Sequence, residues 1–479
     1  MKYETVIGLE VHVELATDTK IFCSCSAHSF GAEPNTHICP VCLGMPGAIP
    51  ALNKKVVDYA IRAGMMLGCN VNRTSTFDRK SYFYPDLPSA YQITQYFSPI
   101  ATDGIVEIET ANGKKPIRIR EMHMEEDAGK LVHDIKEGLS HIDFNRAGVP
   151  LIEIVSYPDL SDADEVEAYL ERLKTLLRYA RVAECEMAHG TMRCDINLSV
   201  RPQGSDVLGV RTEIKNMNSI EAIKRAIEFE TARHVALLEN GSKILQETRR
   251  WDETAEKTLP MRSKETSGDY RYAPDPNLMP LVLDEGWIEN IRSTLPELPE
   301  VKRERYMQVL GLSLYDAEQL TKSIALCECF EGAVAVCDSP KDAANWMTGE
   351  VMSLLNAKKM TCDMLSLSGE RLGELILLVM GGKVGRANAK MILDAMFEDG
   401  AIDPATYAKE NEFLISNDIE KIENVVKAVV DADAKSVADY KGGKEKALMF
   451  LFGKCMKELK GNCNPQLLSK LLCQYISKN

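Results

Sequence analysis

Tyr3-Glu-Thr-Val-Ile-Gly-Leu-Glu-Val-His-Val-Glu-Leu15 alternates by twos. Tyr3, Thr5, Ile7, Leu9, Val11, Val13 and Leu15 fall on one side of an extended chain. Glu10, His12 and Glu14 fall on the other, because successive strand side chains point to opposite faces. One apolar and one ionisable face make this a sheet strand with a core beneath it. Three later stretches repeat the design. Ile117-Arg-Ile-Arg-Glu121-Met-His123-Met-Glu125-Glu126-Asp127 is one. In Met192–Arg201 the residues Arg193, Asp195, Asn197, Ser199 and Arg201 share a face, and in Val210–Lys215 so do Arg211, Glu213 and Lys215.

Charges on one strand are what the solvated face of an antiparallel sheet ordinarily carries. Four such strands also describe a wall fit for a magnesium–nucleotide complex, with carboxylates and imidazole for the hard cation and Arg or Lys for the phosphates. Both readings stand on the pattern alone. No G-x4-G-K-[ST] loop occurs, so a nucleotide must sit on a sheet and not at the N-terminus of a P-loop helix. No G-x-S-x-G elbow occurs either.

Helical periods interleave with these strands. After Pro158, Ser161 is the expected cap of a helix carrying Val166, Tyr169, Leu170, Leu173, Leu176 and Leu177. A second helix starts near Asn218-Ser219, carries Ile220, Ile223, Ile227, Val235 and Leu238, and stops at Asn240-Gly241. This mixture predicts an α+β domain with a large mixed or antiparallel sheet. Thr294-Leu-Pro-Glu-Leu-Pro299 reads as a stiff linker. Beyond it the period is helical to the C-terminus, with breaks at Gly381-Gly382 and Asp399-Gly400. A middle helical domain and a small helical tail are expected, in keeping with about three domains for 479 residues.

Cys23-Ser-Cys25 and Cys39-Pro-Val-Cys42-Leu-Gly44 form two close pairs whose spacing suits a tetrahedral, structural zinc site. The alternatives are unrelated core thiols, a redox pair at Cys39/Cys42, or His37 in place of one ligand. The other ten of the 14 cysteines are scattered along the chain, mostly in apolar helical surroundings, as expected of a reduced, cytoplasmic protein. Neither a secretory leader nor an apolar run long enough for a membrane span is found.

Lys+Arg 57 against Asp+Glu 71 gives −14, which argues against coating nucleic acid by charge alone. The balance is uneven. From Lys441 onward there are eight lysines and two glutamates, net +6, on a body of −20. Lys441, Lys444, Lys446, Lys454, Lys457 and Lys460 are therefore candidates for contacts to an RNA backbone.

Longer motifs carry a resemblance. They are Val6-Ile-Gly-Leu-Glu-Val-His12; Cys39-Pro-Val-Cys-Leu-Gly-Met-Pro46; Asp78-Arg-Lys-Ser-Tyr-Phe-Tyr-Pro-Asp-Leu-Pro88; Glu125-Glu-Asp-Ala-Gly-Lys130; Asp143-Phe-Asn-Arg-Ala-Gly-Val-Pro150; and Gln246-Glu-Thr-Arg-Arg-Trp251. With Met192-Arg-Cys-Asp195, Arg211-Thr-Glu-Ile-Lys-Asn216 and Asp439-Tyr-Lys-x-Gly-Lys-Glu-Lys446, the chain resembles the B subunits of aspartyl/glutamyl-tRNA(Asn/Gln) amidotransferases over essentially its whole length. It departs from their usual Phe and Asp at Ala273 and Asn277.

The resemblance implies a glutamine-synthetase-like catalytic cradle over residues 1–292, with a zinc-binding insert at about 20–45. A helical domain over 293–400 and a tRNA-binding helical tail over 401–479 follow. It implies an ATP- and magnesium-dependent ligase with glutamine as amido donor, working with an amidase subunit and a small third subunit on misacylated tRNA. Carried over residue by residue, Glu10, His12, Glu125 and Glu213 are the magnesium ligands, and Glu126 is an alternate or supporting carboxylate. Arg79, Lys80 and Lys215 contact phosphates or the acceptor end, and Arg193 with Asp195 orients the nucleotide. For these secondary residues an ion pair within the sheet is the competing explanation. Two other functions compete: a tRNA-binding module with a degenerate catalytic face, and a free-standing carboxylate–amine ligase for which the basic tail would be superfluous.

Overall fold

The computed structural model describes residues 2–134, 138–263, 270–415, 419–459, 461 and 463–478. The chain divides into two compact units, Met1–Leu298 and Pro299–Asn479.

The first unit is built on a nine-stranded sheet among the described residues. Across it run Lys257–Ser263, Glu247–Asp252, Thr212–Lys215, Met192–Pro202, Tyr3–Glu14, Pro150–Ser156, Gly113–Glu126, Ala101–Thr110 and Asn70–Val71. All neighbours are antiparallel except Thr212–Lys215 beside Glu247–Asp252, so the sheet is mixed. Tyr3–Glu14 lies at its centre, with Ile7, Leu9, Val11 and Val13 fully buried. Helices Ala163–Tyr179 and Ile220–Glu239 pack against the sheet, the first through Val166, Tyr169, Leu170, Leu173 and Leu177. Thr212 meets the second helix, so Glu213, its neighbour in the strand, points to the opposite face.

Two local expectations change. The first helix is capped by Asp162, which accepts from the Glu165 N–H, while Glu165 reaches back to the Ser161 N–H. The cap is thus one residue later than expected, and Glu165 satisfies the N–H of the residue before that cap. The strand at Val210–Lys215 begins only at Thr212, where pairing with Leu198 starts, and leaves Arg211 exposed. The second helix is capped by Ser219 and ends at Asn240 before Gly241, as expected.

The second unit is helical, beginning with Pro299–Gln308. Helix Gly369–Met380 stops at Gly381-Gly382, where Gly382 takes φ +63°. Ile422, Val426, Val430, Leu451, Cys455, Leu468 and Leu472 form a core of their own near the C-terminus. No helix among the described residues is long and apolar enough to cross a membrane.

Candidate active site

Strand register turns the alternating sequence into a site. His12 lies directly opposite Glu153 on one neighbouring strand and Arg193 on the other, and Glu153 lies opposite His123. Two residues along, Glu10 is opposite Asp195; Glu213 is opposite Asn197, one pleat from Asp195 on the same face. Of these, Glu10, His12, His123, Glu153, Asp195 and Glu213 line one pocket of about 790 Å³, joined by Glu125, Lys80 and Lys215.

Within it the four residues expected to share one cation divide between two clusters. His12, Glu125 and Glu153 form one, Glu10, Asp195 and Glu213 the other; each offers ligand atoms within 4.8 Å of one another. The reason is spacing: Glu10 and His12 are two residues apart on one strand, about 7 Å at the strand rise, so each meets a different set of cross-strand partners. Asp195, expected to orient a nucleotide, is instead a member of the second carboxylate cluster. Glu153 was missed because Pro150-Leu-Ile-Glu-Ile-Val-Ser156 reads as an apolar core strand. The available signal was that lone carboxylate, which a wholly buried strand has no reason to carry.

The electrostatics describe a pocket seeking positive charge. Burial works against a proton on His12, yet Glu153 and Glu125, each 3.5 Å away, push it up to about 9. His123, 3.1 Å from Glu153, is raised in the same way against its burial. Glu153 is held well below its ordinary value by both imidazoles despite burial, whereas burial raises Glu125 and Glu10. Lys80 faces Glu125 and Glu153, and their charge raises it against the cost of burial. Lys215 pairs with Asp195 and, at 3.1 Å, with Glu213. That ammonium and the Thr248 hydroxyl hold Glu213 below its usual range, although burial opposes them. Buried His123 Nδ1 and Gln95 Nε2, on side chains that line the pocket, have no hydrogen-bond partner among the described residues. Carboxylate oxygens with one or two imidazoles suit a hard divalent cation, and two cationic side chains beside them suit phosphates.

Three expected residues are held in other contacts. Glu126 follows Glu125 in the strand, so it turns to the other face and accepts from the Ile93 N–H; burial pushes it up to about 7. Arg79, likewise opposite in direction to Lys80, donates to Asp275 at 2.7 Å and lies 4.2 Å from the Tyr91 ring. Arg193 shares the pocket face but is taken by Asp127 at 2.6 Å. For Arg79 and Arg193 the ion-pair explanation describes what is seen.

Under Glu213 lies a buried polar network. Glu230, fully buried on its helix, bonds Arg233 and the Thr258 hydroxyl and lies 3.2 Å from His234. His234 meets the Thr212 hydroxyl, and Arg233 also reaches Glu247. The network thus ties together the two strands that carry Glu213 and Thr248.

Cys23, Cys25, Cys39 and Cys42 gather with all four sulfurs within 4.8 Å of one another. Cys39 and Cys42 sulfurs are 3.9 Å apart, near the ~3.8 Å edge of a tetrahedron with zinc–sulfur bonds of about 2.3 Å. A bond from Cys23 holds Cys42 down at about 4, while that same bond raises Cys23 and burial raises Cys25, so in the absence of a cation the cluster favours a single thiolate at Cys42. Gly44 closes this knuckle at φ +60°, where a Cβ would stand 2.3 Å from the Ser89 hydroxyl. His37 is not part of the cluster.

Of the tail lysines, Lys441, Lys444, Lys446, Lys454 and Lys457 are exposed, and Lys460 lies outside the described residues. Lys444 pairs with Asp439 and Lys454 with Asp433, which offsets part of the local charge.

Two family models match the chain: a "GatB/GatE catalytic domain" over residues 5–289 and a "GatB domain" over residues 328–476. Curated relatives, each described as the B subunit of an aspartyl/glutamyl-tRNA(Asn/Gln) amidotransferase, match end to end. That of Caldanaerobacter subterraneus subsp. tengcongensis is 49% identical, covering 100% of both chains. That of Carboxydothermus hydrogenoformans is 48% identical over 100% of this chain and 99% of its own, and that of Agathobacter rectalis 49% over 99% of each. With identity of this order spread over both compact units, the chain belongs to the family of tRNA-dependent amidotransferase B subunits.

Proposed function

We propose that this chain activates and amidates the side-chain carboxylate of Glu or Asp misacylated onto tRNA. The observation that carries the reading is the pair of carboxylate clusters, one with His12, facing Lys80 and Lys215 in a single pocket. A carboxylate has no leaving group that ammonia could displace at neutral pH. Its oxygen therefore attacks the γ-phosphorus of ATP, releasing ADP and forming an acyl phosphate. Ammonia then adds to the acyl carbon and inorganic phosphate departs, leaving Gln-tRNA(Gln) or Asn-tRNA(Asn).

His12, Glu125 and Glu153, with Glu10, Asp195 and Glu213, are the residues that would hold magnesium. When bound, magnesium neutralises phosphate charge and fixes the phosphates relative to the carboxylate. Lys80 and Lys215 meet the charge that spreads over the transferring phosphoryl oxygens. The sheet floor holds all of these groups except Lys80, which comes from the separate strand Asp78–Ser81, in place before substrate arrives, so little reorganisation is needed during transfer.

The ammonia comes from glutamine through a separate amidase subunit (A), and a small subunit (C) completes a heterotrimer. Residues 1–292 form the glutamine-synthetase-like cradle, 293–400 a helical domain, and 401–479 a helical tail that meets the tRNA backbone. Zinc at the four cysteines is structural, since four protein ligands close its coordination sphere. The setting is the cytoplasm, where charged tRNA is made.

The test is reconstitution with the partner subunits and assay of both charged tRNAs. Amidated product is expected only with ATP, magnesium and glutamine together, with ADP release dependent on charged tRNA. Product without ATP, or ADP release indifferent to tRNA, overturns the reading.

A further inference from the structure

Five aromatic rings stand in contact one after another beside the carboxylate pocket, and the last two reach the surface. Tyr82 meets Tyr270 at 5.9 Å and Tyr270 meets Tyr272 at 6.0 Å. Tyr272 stacks on Tyr96 at 3.9 Å with planes 11° apart, and Tyr96 meets Phe97 at 5.1 Å. Three separate segments supply the row. Tyr96, Tyr270 and Tyr272 line the same pocket as Glu125, Glu153 and Glu213. Lys80 Nζ lies 5.0 Å from the Tyr270 ring and faces the carboxylates, so it marks the inner end. At the outer end Tyr96 is 48% and Phe97 57% exposed.

Ordinary core packing explains aromatic rings that are covered. It does not explain a row that becomes more exposed as it leaves a charged pocket, because each ring left in water forfeits the gain from its burial. We propose that this row is the platform on which the unpaired bases at the 3′ end of the charged tRNA stack. The inference rests on the function proposed above and adds where the RNA end lies. Its argument is connectivity. The amino acid is esterified to the terminal ribose, so once its side-chain carboxylate reaches the clusters, the terminal base is held against the pocket wall. That wall is Tyr96, Tyr270 and Tyr272, and the next base outward reaches Phe97. Aromatic stacking accepts any base and supports single-stranded RNA without reading its sequence. A platform of this kind also serves two acceptor tRNAs equally well.

The experiment uses the complete enzyme with its partner subunits and compares wild type, Tyr96→Leu, Phe97→Ala and the ring-retaining Tyr96→Phe. Both truncated positions are half exposed, and a thermal melt confirms that each variant is folded. Tyr96→Leu and Phe97→Ala are expected to raise KM for charged tRNA about tenfold, with KM for ATP unchanged and Tyr96→Phe near wild type. A binding measurement with tRNA shortened by its single-stranded 3′ end needs no turnover. Wild type should lose affinity on that truncation, whereas Tyr96→Leu should bind full and shortened tRNA alike. A rise in KM for ATP instead would assign the row to the adenine of the nucleotide. Loss of assembly with the partner subunits would make it a protein-docking surface. Either result, or no change at all, overturns the proposal. Should wild type show no ATP-dependent amidation, the function fails on that assay, and the binding comparison still decides the stacking.

Discussion

His12 and Glu153 face each other across neighbouring antiparallel strands, with Nε2 and Oε2 3.5 Å apart. Neither motif matching nor alternation within one strand joins them. The pairing makes Glu153, a lone acid among Leu151, Ile152, Ile154 and Val155, a member of the candidate cation site.

Glu153→Gln keeps the shape of that side chain and removes its charge. We expect amidation at fixed magnesium to fall about 10²-fold, with partial recovery as magnesium is raised, since a carboxylate ligand is lost. A magnesium titration of initial rate measures this. A variant with wild-type magnesium dependence would remove Glu153 from the site.

Glu213→Gln is expected to abolish ATP-dependent product while leaving tRNA affinity at its wild-type value. The residue sits in the second carboxylate cluster, held by Lys215 and Thr248. Equal loss of activity and tRNA binding would show it to be a support of the sheet. The chain without its partners should not hydrolyse glutamine, and ammonia release by it would contradict the division of labour proposed above.

Metal analysis should find one zinc per chain, and Cys39→Ser should lower both zinc content and the thermal midpoint by several degrees. The sulfurs of the four cysteines lie within 4.8 Å of one another without a disulfide among the described residues, so an ion is the element that would lock them. Unchanged stability after complete zinc removal would make the site dispensable for the fold.

Glu230 titrates far from its ordinary value. Although burial pushes the other way, bonds from His234, Arg233 and Thr258 hold it down from 4.5 to about 2. A carboxyl lowered by folding adds stability that is fully present above pH 4.5 and lost as the pH falls through about 2. The urea midpoint of wild type should therefore decline across that window. Glu230→Gln should start lower and decline less, because it carries no proton to take up. Parallel curves for the two proteins would refute the assignment.

In the tail, Lys446→Glu and Lys457→Glu should weaken tRNA binding more than Lys444→Glu or Lys454→Glu. The latter two already face Asp439 and Asp433, while the former have no ion pair among the described residues. Each effective lysine removed should lower the slope of log affinity against log salt by about one. Equal effects of all four would mean that the carboxylates do not compete with phosphate.

Much of this was written along the chain. Alternation in Tyr3–Leu15 separated an apolar face from Glu10 and His12, and the helical period of Val166 to Leu177 placed a helix. Both are local rules, decided by the direction of each side chain from its own backbone. The cysteine spacing likewise announced its cluster, because two short loops bring each pair together without help from distant chain.

What the chain alone could not determine is which strands become neighbours and at what register, since pairing is a property of two segments and not of either. Register moved Asp195 into a carboxylate cluster, brought Glu153 to His12, and split the expected four ligands into two groups. Alternation within their own strands already turned Glu126 and Arg79 away from Glu125 and Lys80, whereas only the tertiary structure gave Arg193 to Asp127. Local chemistry named the ionisable residues; only the assembled sheet decided which of them meet, because a cation is held by atoms a few ångströms apart in space, however far apart they lie in sequence.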